Sequence, residues 1–365
     1  MDGPGPTARI AVIGTGMAGA TAARLLAEAG HDVALFDKGR GAGGRMSTRR
    51  VGSGDPESGR PAFGPYDHGA QYFTARDAGF RRLVESWVAD GTAAPWGGVV
   101  ARCSDHGLTR TNDEDRFVGV PGMNGVIRSL LAELPVEFGT RVTALINRAD
   151  GWRIQAEDDH DRGPFDAVVV AVPAVQAVDL LAASQGLSES AAAAEMAPCW
   201  TLMATFPNAC LPALPDGTPI SGAIIEDGGP LAWIGANSSK PGRRHMRAGP
   251  ADSADYCDWV IQSTPQWSTQ NLEQNPEAVR AALLAAAAPM LGLPITTQPA
   301  FAAVHRWRYA KVQSPVGVDC LFDEALGIGA CGDWCLGPRV EAAYLSGAAL
   351  AGTINEWLSA ASRTG

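Results

Sequence analysis

Short apolar runs alternate with longer segments rich in alanine and leucine towards both ends of this chain. Such runs suit strands buried on both faces of a parallel sheet, and the longer segments suit helices. The resulting class is α/β, with helices covering a parallel sheet. The pattern predicts strands at residues 8–13, 31–36, 166–173 and 326–330, and helices at residues 18–29, ending at Gly30, and 339–357.

The middle of the chain follows a less regular pattern. Residues 198–267 contain several short strand-like pieces. A block of sheet between parallel α/β elements indicates an inserted second domain. The remaining predicted elements are a surface loop rich in Gly, Pro and Ser at residues 53–65, helices at 78–89 and 124–133, one strand at 136–146, and clear strands at 200–206 and 231–236.

Glycines follow the first predicted strand in the spacing of a dinucleotide-binding turn. Gly14 allows the tight turn, Gly16 lets a pyrophosphate approach the backbone, and Gly19 lets the helix pack closely on the strand. Asp37 ends the second strand, 23 positions after Gly14, where a carboxylate accepts hydrogen bonds from a ribose. A second glycine-rich segment, residues 43–45, completes a site for an adenine dinucleotide. The alternative is a glycine-rich turn in an unrelated α/β protein.

Composition and charge narrow the class of partner. The chain has 365 residues, 46% of them hydrophobic and 19% charged, which is ordinary for a globular protein of two domains. The net charge of −10 argues against nucleic-acid or anionic-membrane partners. No apolar run reaches the roughly 18 residues that span a bilayer, and the amino terminus lacks a signal-peptide pattern. The expected location is the cytoplasm.

Seven cysteines occur without a C-x-x-C pair, so neither a metal site nor a disulfide framework is expected. Cys331 and Cys335 lie four positions apart beside the last predicted strand. Two interpretations stay open for them, a redox role near a cofactor and simple apolar packing.

The carboxy-terminal segment repeats the strand-turn-helix order. Asp333 lies between a strand end and a helix start, where a carboxylate can accept a hydrogen bond from a sugar-alcohol hydroxyl. The amides of residues 340–342 begin the long helix and form a positive dipolar end. Beside a flavin, that end would face the ring region where negative charge accumulates on reduction. The alternative role for Asp333 is helix-entry chemistry alone.

Five segments in order resemble the FAD-dependent amine-oxidase-like flavoproteins, and among them the bacterial renalases most closely. The segments are LFDKGRGAGGRMSTRR at 35–50, DHGAQYFTAR at 67–76, SKPGR at 239–243, HRWRYA at 305–310 and GDWCLGPRVEAAYLSG at 332–347. The resemblance covers nearly the whole chain. It implies a Rossmann FAD domain of the two-dinucleotide-binding type with an inserted, mainly antiparallel sheet that binds substrate. The implied division is residues 1–75, 119–175 and 322–365 for the FAD domain and 76–118 and 176–321 for the substrate domain.

The same resemblance implies a non-covalent FAD and the residues that hold it, because no cysteine lies in a flavin-attachment motif. Gln71, Tyr72 and Phe73 are expected near the ring. The other implied FAD contacts are Gly14, Gly16, Met17, Ala18, Asp37, Lys38, Gly44, Arg45, Met46, Val142, Asp333, Val340, Glu341 and Ala342.

Two departures from the wider family pattern bear on activity. Many amine oxidases carry a lysine in the substrate domain, which we would place within residues 200–206, but the three lysines of this chain are Lys38, Lys240 and Lys311. Gln262 stands where bacterial relatives lead us to expect a histidine. The first departure weakens the amine oxidase interpretation, and the second leaves the role of that position open.

The resemblance implies an oxidase that converts 2- and 6-dihydro isomers of NAD(P) to NAD(P)+ and reduces O2 to H2O2. A dihydropyridine recovers aromaticity when hydride leaves, so little acid or base assistance is needed. We expect His305, Trp307, Arg308 and Tyr309 on the substrate side, by stacking and hydrogen bonding. Lys240 and Arg243, with Arg244, are candidates for the substrate pyrophosphate.

Several alternatives stay open at this point. His305 could be a satisfied core histidine, the basic cluster at 240–244 a solvated turn, and Trp334 either a contact of the flavin or core filling. The alternative functions are an amine or other small-molecule oxidase and a non-catalytic flavin-binding protein. The sequence leaves open the oligomeric state, the preferred isomer, and the choice between NAD and NADP forms.

Overall fold

The computed structural model describes residues 7–51, 63–111, 114–158, 160–226, 228–243, 246–247 and 255–364. Most of the surface loop predicted at residues 53–65 lies outside these residues, as does Arg244.

The described residues form a sheet-rich fold with one long helix at the carboxy-terminal end. The strands are β1 Arg9–Ile13, β2 Asp32–Asp37, β3 Thr48–Arg49, β4 Tyr66–Asp67, β5 Ala93–Pro95, β6 Val100–Ser104, β7 Gly107–Arg110, β8 Phe117–Gly119, β9 Val136–Phe138, β10 Val142–Arg148, β11 Gly151–Ala156, β12 Arg162–Phe165, β13 Ala167–Val170, β14 Glu195–Pro207, β15 Gly222–Ile225, β16 Leu231–Ala236, β17 Met246–Arg247, β18 Asp255–Ser263, β19 Phe301–Ser314, β20 Leu321–Asp323 and β21 Ile328–Ala330. The helices are α1 Met17–Glu28, α2 Ala78–Ala89, α3 Gly125–Leu130, α4 Ala174–Leu180, α5 Gln185–Ala192, α6 Pro265–Gln270, α7 Pro276–Met290, α8 Asp333–Leu336 and α9 Val340–Thr364.

A six-stranded sheet confirms the predicted parallel strands. Its order is β20-β21-β13-β1-β2-β9, and all neighbours are parallel except the edge pair β20-β21. Ile10 and Val12 on the central strand are fully buried, as the continuous apolar run requires. Helices α1 and α9 approach closely on one face, since a Cβ at Gly347 would lie 2.3 Å from the Ala18 carbonyl oxygen. Glycine therefore allows the two ends of the chain to pack together.

The second large sheet is mainly antiparallel, in the order β19-β14-β18-β16-β15-β6-β7 with β17 beside β18. Among the described strands of this sheet, only the β15–β6 pair is parallel. The predicted strands at 200–206 and 231–236 are parts of β14 and β16. The predicted fold class, a Rossmann-type domain with a mainly antiparallel second sheet, is confirmed. The limits given above for the two domains stay a prediction.

Several predicted elements have different bounds in the structure, among them the last helix, predicted at 339–357, which continues to Thr364, and the strand predicted at 166–173, which ends at Val170. The strand predicted at 136–146 is two strands in different sheets, because Gly139 has a φ of 74° and turns the chain between β9 and β10. The helix predicted at 124–133 ends at Leu130. Helix α2 matches its prediction and is capped by Asp77, whose side chain accepts a hydrogen bond from the Phe80 amide at 2.9 Å. In the part of the chain that the structure describes, no helix has both the length and the apolar character to cross a bilayer.

Candidate active site

The turn between β1 and α1 forms an open cradle. Gly14 has a φ of 104°, and a Cβ there would lie 2.6 Å from the Ala171 carbonyl oxygen. A Cβ at Gly19 would lie 2.0 Å from the Gly14 carbonyl oxygen. A Cβ at Gly16, in contrast, would meet no atom within 4 Å. Two of the glycines are therefore required by packing, whereas Gly16 borders open space at the amino end of α1, beside the first helical residues Met17 and Ala18.

The second glycine-rich segment faces the first. Gly43 and Gly44 have φ values of 131° and 51°, and the Gly43 amide donates to the Thr15 carbonyl oxygen at 3.1 Å. A Cβ at Gly44 would lie 3.4 Å from the Gly16 Cα. Met46, which ends the short helical turn at Gly44–Met46, is buried. The two backbone segments thus border the same space, as a bound pyrophosphate requires.

Asp37 is held at the edge of this cradle. Its Oδ2 accepts hydrogen bonds from the amide and the hydroxyl of Thr15 at 2.7 and 2.6 Å, and its Oδ1 accepts from the Gly39 amide at 2.6 Å. The neighbouring Lys38 donates to Gln176 at 2.9 Å, and burial together with Arg141 lowers the pKa of its ammonium. Val142 begins β10 and is half-buried. The carboxylate is therefore fixed where the sequence predicts a ribose contact.

The carboxy-terminal segment brings a second carboxylate to the cradle. Asp333 forms a two-point ion pair with Arg45, with Nη1–Oδ2 and Nη2–Oδ1 distances of 2.7 and 2.6 Å. Val340 and Ala342 lie in the first turn of α9. The Glu341 side chain is directed elsewhere, because its Oε1 accepts from the amides of Arg76 and Asp77 at 2.5 and 2.7 Å. Only the backbone of Glu341 is thus left for the predicted cofactor contact.

Trp334 and the adjacent cysteines belong to the core. Trp334 is fully buried and its indole N–H donates to the Val172 carbonyl oxygen at 3.0 Å, which favours core filling over the alternative in which its ring packs on the flavin. Cys331 and Cys335 are also fully buried. Burial raises the pKa of the Cys335 thiol to about 12 and that of Cys331 well above its ordinary value. Both thiols stay protonated, which favours packing over a redox role.

The segment 67–73 connects the cradle to the second sheet. The Ala70 amide donates to the Arg45 carbonyl oxygen at 2.9 Å, and a Cβ at Gly69 would lie only 1.9 Å from that oxygen. The Gln71 amide nitrogen donates to the carbonyl oxygens of Asp67 and Gly69 at 2.7 and 2.9 Å. The segment therefore lies directly on the glycine-rich segment, and the Gln71 side chain holds it in a tight loop.

The two aromatic residues after Gln71 differ in position. Tyr72 is half-buried and its ring centroid lies 5.9 Å from those of both Trp96 and Trp233. Phe73 is buried among aromatic rings that include Phe117, with a centroid separation of 6.0 Å. Phe73 is therefore a core residue, and the expectation that it lies near the ring gains no support from its surroundings.

A row of four residues crosses the second sheet opposite this segment. His305 on β19 pairs with Thr201 on β14, Thr201 pairs with Gln262 on β18, and Gln262 pairs with Trp233 on β16. Directly paired residues share one face of a sheet. The Gln262 side-chain nitrogen donates to the Gly69 carbonyl oxygen at 2.7 Å, so this face lies against the 67–73 segment. Sequence reasoning missed Thr201, although it lies in a predicted strand.

Imidazole and indole rings extend this face. The His68 ring lies 4.8 Å from the His305 ring and 5.0 Å from the Trp307 ring, and the indole N–H of Trp307 donates to the His68 carbonyl oxygen at 2.9 Å. Burial is the main cause that lowers the pKa of both imidazoles to about 4. The nearby Arg49 lowers both pKa values further, and His305 also lowers that of His68. The rings are thus neutral at pH 7. His68 was not singled out as a substrate-side residue by the sequence.

Arg308 and Tyr309 follow Trp307 on β19 but are not part of the cluster of His68, His305 and Trp307 rings. Arg308 is exposed and pairs with both Glu273 carboxylate oxygens, at 2.5 and 3.0 Å. Since side chains alternate along a strand, it lies on the opposite face from Trp307. Its exposure and its pairing with Glu273 give no support to the expectation of Arg308 on the substrate side. Tyr309 is half-buried on β19.

The candidate phosphate-binding cations are buried instead of solvated. The side chains of Lys240 and Arg243 are each 1% exposed and that of Asp67 is 0% exposed. Lys240 Nζ lies 3.3 Å from Asp67 Oδ2, and Arg243 Nε donates to the same oxygen at 3.1 Å. Burial alone would raise the pKa of Asp67, but the two cations hold it below its ordinary value. The solvated-turn alternative is wrong for these two side chains, because both are buried and both pair with Asp67 inside the protein.

Comparisons with known proteins agree with this architecture. Residues 12–87 match an NAD(P)-binding Rossmann-like domain, and residues 96–354 match the flavin-containing amine oxidoreductase family. The second match covers well over half of the chain, so the protein belongs to that family.

Solved structures with the same fold include three oxidases of low sequence identity. A candidate protoporphyrinogen oxidase from Exiguobacterium sp. 255-15 has a TM-score of 0.72 at 13% identity, covering 96% of this chain and 99% of that one. Cyclohexylamine oxidase from Brevibacterium oxydans IH-35A has a TM-score of 0.66 at 12% identity, covering 97% and 100%. A putrescine oxidase in complex with putrescine has a TM-score of 0.63 at 14% identity, covering 96% and 99%.

The residues of the cradle fit the flavin that the family implies. Gly16 borders open space between two glycine-rich segments, and the fixed Asp37 carboxylate lies at its edge. The Arg45–Asp333 pair supplies both a cation and an acceptor of hydroxyl hydrogen bonds. The protein is therefore a flavin-dependent oxidoreductase of the amine oxidase family.

Proposed function

We propose that the protein is an FAD-dependent oxidase that removes hydride from misreduced nicotinamide dinucleotides, the 2- and 6-dihydro isomers of NAD(P). The substrate loses two electrons and a proton as hydride and becomes NAD(P)+. O2 takes up the two electrons with two protons and becomes H2O2. FAD, when bound, supplies the two-electron acceptor that links these half-reactions.

The observation that carries the proposal is the neutral face of the second sheet. His305, Thr201 and Gln262 lie side by side on three strands, with Trp307 beside His305. Both imidazoles of the cluster have pKa values of about 4, which makes them weak bases at neutral pH. A dihydropyridine needs no base, because hydride loss leaves a stable aromatic cation.

The positions of the lysines also favour this substrate class. Lys311 is exposed, Lys38 contacts Gln176, and Lys240 is buried against Asp67. The strand where an amine oxidase lysine is expected carries Thr201 in the row. The chain thus lacks, at that position, the group that holds a water in many amine oxidases.

The residues of this face would bind and orient a planar nicotinamide. The His305 and Trp307 rings, 4.3 Å apart, offer stacking and hydrogen-bonding surfaces, and Tyr72 with Trp233 offers an aromatic wall on the other side of Gln262. Gln262 is already bonded to the Gly69 carbonyl oxygen, so its first role is to hold that segment. We propose non-covalent FAD, held by Gly16, Asp37, Gly44, Arg45, Asp333 and the first turn of α9.

A second candidate is oxidation of a small amine. The family match and the fold shared with cyclohexylamine and putrescine oxidases favour it. Either activity uses the same cradle, so the difference lies in the substrate-side face alone.

Anaerobic mixing separates the two candidates. Purified protein loaded with FAD is mixed with 2-dihydro-, 6-dihydro- and 4-dihydro-NAD(P) and with a panel of amines while flavin absorbance is followed. The proposal expects rapid bleaching by the 2- or 6-isomer, and NAD(P)+ with H2O2 after air is admitted. Bleaching by amines alone would establish the second candidate, and bleaching by none would indicate a flavin-binding protein without this catalysis. Release of free FAD by acid precipitation would support non-covalent binding, and a yellow pellet would contradict it.

A further inference from the structure

We propose that Lys240 is a positioning residue, which fixes Gln71 and thereby holds the 67–71 segment against the flavin cradle. This role concerns the cradle and involves no property of the substrate. It therefore depends on the flavin-dependent class of the protein and stands apart from the dihydronicotinamide proposal.

Lys240 contacts Gln71 directly. Lys240 Nζ donates to Gln71 Oε1 at 3.2 Å, and the ammonium is buried. An ammonium group has donors only, so it accepts no bond from the amide and determines which end of the amide faces it. The Gln71 nitrogen must then face the other way, toward the carbonyl oxygens of Asp67 and Gly69.

Gln71 is connected to the cradle through the 67–71 segment. Both amide hydrogens of Gln71 are used within the segment, which closes it into a loop. The Gly69 backbone lies in direct contact with the Arg45 carbonyl oxygen, where no side-chain carbon would fit. Arg45 in turn pairs with Asp333. A shift of the loop is therefore transmitted to the residue that joins the two ends of the cradle.

Charge balance at Asp67 does not require Lys240. Asp67 Oδ2 also accepts from Arg243, and Oδ1 accepts from the Thr48 hydroxyl at 2.8 Å and the Met123 amide at 3.0 Å. Removing the lysine charge leaves Asp67 paired with Arg243. Burial lowers the pKa of Lys240 to about 8, so keeping this cation here is unfavourable in itself. A positioning role accounts for a buried cation that is not needed to neutralise the carboxylate.

The test uses Lys240→Met, which keeps an unbranched apolar side chain one atom shorter than that of lysine and removes its charge and donors. We expect the apo-protein to remain folded with a lower unfolding temperature, because the buried Gln71 carbonyl oxygen and Asp67 each lose a donor. The dissociation constant for FAD should also rise about tenfold, a coupling of the size found between residues of one hydrogen-bond network. The visible spectrum of bound FAD should shift as well. Lys311→Met removes the same charge from an exposed site on β19 and should change none of these values.

A double-mutant cycle makes the test specific for the route through Gln71. Gln71→Met should weaken FAD binding by a similar factor without changing any charge. The double variant should bind FAD about as tightly as whichever single variant binds it less tightly, because both substitutions act on one loop. Wild-type FAD affinity and spectrum in Lys240→Met, or additive effects in the double variant, would overturn the proposal. If Lys240→Met does not fold, wild-type FAD affinity in Gln71→Met overturns it equally.

Discussion

Arg45 and Asp333 are 288 positions apart in the chain and form a two-point ion pair, with N–O distances of 2.7 and 2.6 Å. Arg45 follows the second glycine-rich segment, and Asp333 follows the last strand of the parallel sheet. Their side chains are 28% and 10% exposed, so the pair is largely shielded from water. It joins the two ends of the chain across the cradle.

Asp333→Asn should weaken this ion pair between Arg45 and residue 333. Arg45 then lacks its counter-charge, and we expect the free energy of unfolding of the apo-protein to fall by about 1.5–3 kcal/mol, the range for hydrogen bonds to charged groups. Urea unfolding of the apo-protein measures this change. Glu157→Gln is the matched control, because it removes the same charge from an exposed pair with Arg141 and should cost less than about 1 kcal/mol. Equal effects of the two substitutions would contradict a special role for Asp333.

Gly16 and Gly69 should respond differently to alanine. A Cβ at Gly69 would overlap the Arg45 carbonyl oxygen, so Gly69→Ala should destabilise the apo-protein by about 1–3 kcal/mol. A Cβ at Gly16 meets no protein atom, so Gly16→Ala should leave apo-protein stability nearly unchanged. It should nevertheless weaken FAD binding by at least about tenfold, or about 1.4 kcal/mol, since the methyl group occupies the pyrophosphate space. Tight FAD binding by Gly16→Ala would place the pyrophosphate elsewhere.

The cradle was predictable because its signals are local. Gly14, Gly16 and Asp37 belong to one strand-turn-helix-strand unit, in which the required backbone geometry restricts residue type within a short stretch. Asp333 could be placed for the same reason, since it follows a strand and precedes a helix. No long-range information is needed to recognise either feature.

The substrate-side face could not be predicted to the same degree. His305, Thr201 and Gln262 become neighbours only through the register of three strands, and a shift of one residue would turn each side chain to the other face. The pairing of Arg308 with Glu273 on the opposite face was not predictable for the same reason. Lys240 and Arg243 look solvated beside Pro241 and Gly242, yet their partner Asp67 is more than 170 positions away.

The two neutral histidines should make stability depend on pH. The pKa of His68 is about 4 in the folded protein and about 6.5 in an unfolded chain, so below pH 6.5 the unfolded chain binds the extra proton. The folded protein therefore has its full stability, as far as His68 is concerned, above pH 6.5, and it loses stability as the pH falls from 6.5 toward 4. Between pH 7 and pH 5 the expected loss is about 2 kcal/mol for this histidine.

Urea unfolding at several pH values checks this dependence. His68→Phe keeps a ring beside Trp307 and removes the proton site, so the loss of stability between pH 7 and pH 5 should shrink. His106→Gln changes an exposed histidine on a turn and should retain the wild-type slope. An unchanged slope in His68→Phe would show that the imidazole is not held neutral by burial.

Thiol labelling distinguishes packing from redox chemistry at Cys331 and Cys335. Both side chains are fully buried and their pKa values are raised, that of Cys335 to about 12, so the reactive thiolate is scarce at pH 8. Iodoacetamide should therefore leave both unmodified in the native protein and label them after unfolding, as read by peptide mass spectrometry. Cys210 is exposed and serves as the internal control that reacts in the native state. Labelling of Cys331 or Cys335 at the rate of Cys210 would restore the redox interpretation, because it would require an accessible thiolate beside the Arg45–Asp333 pair.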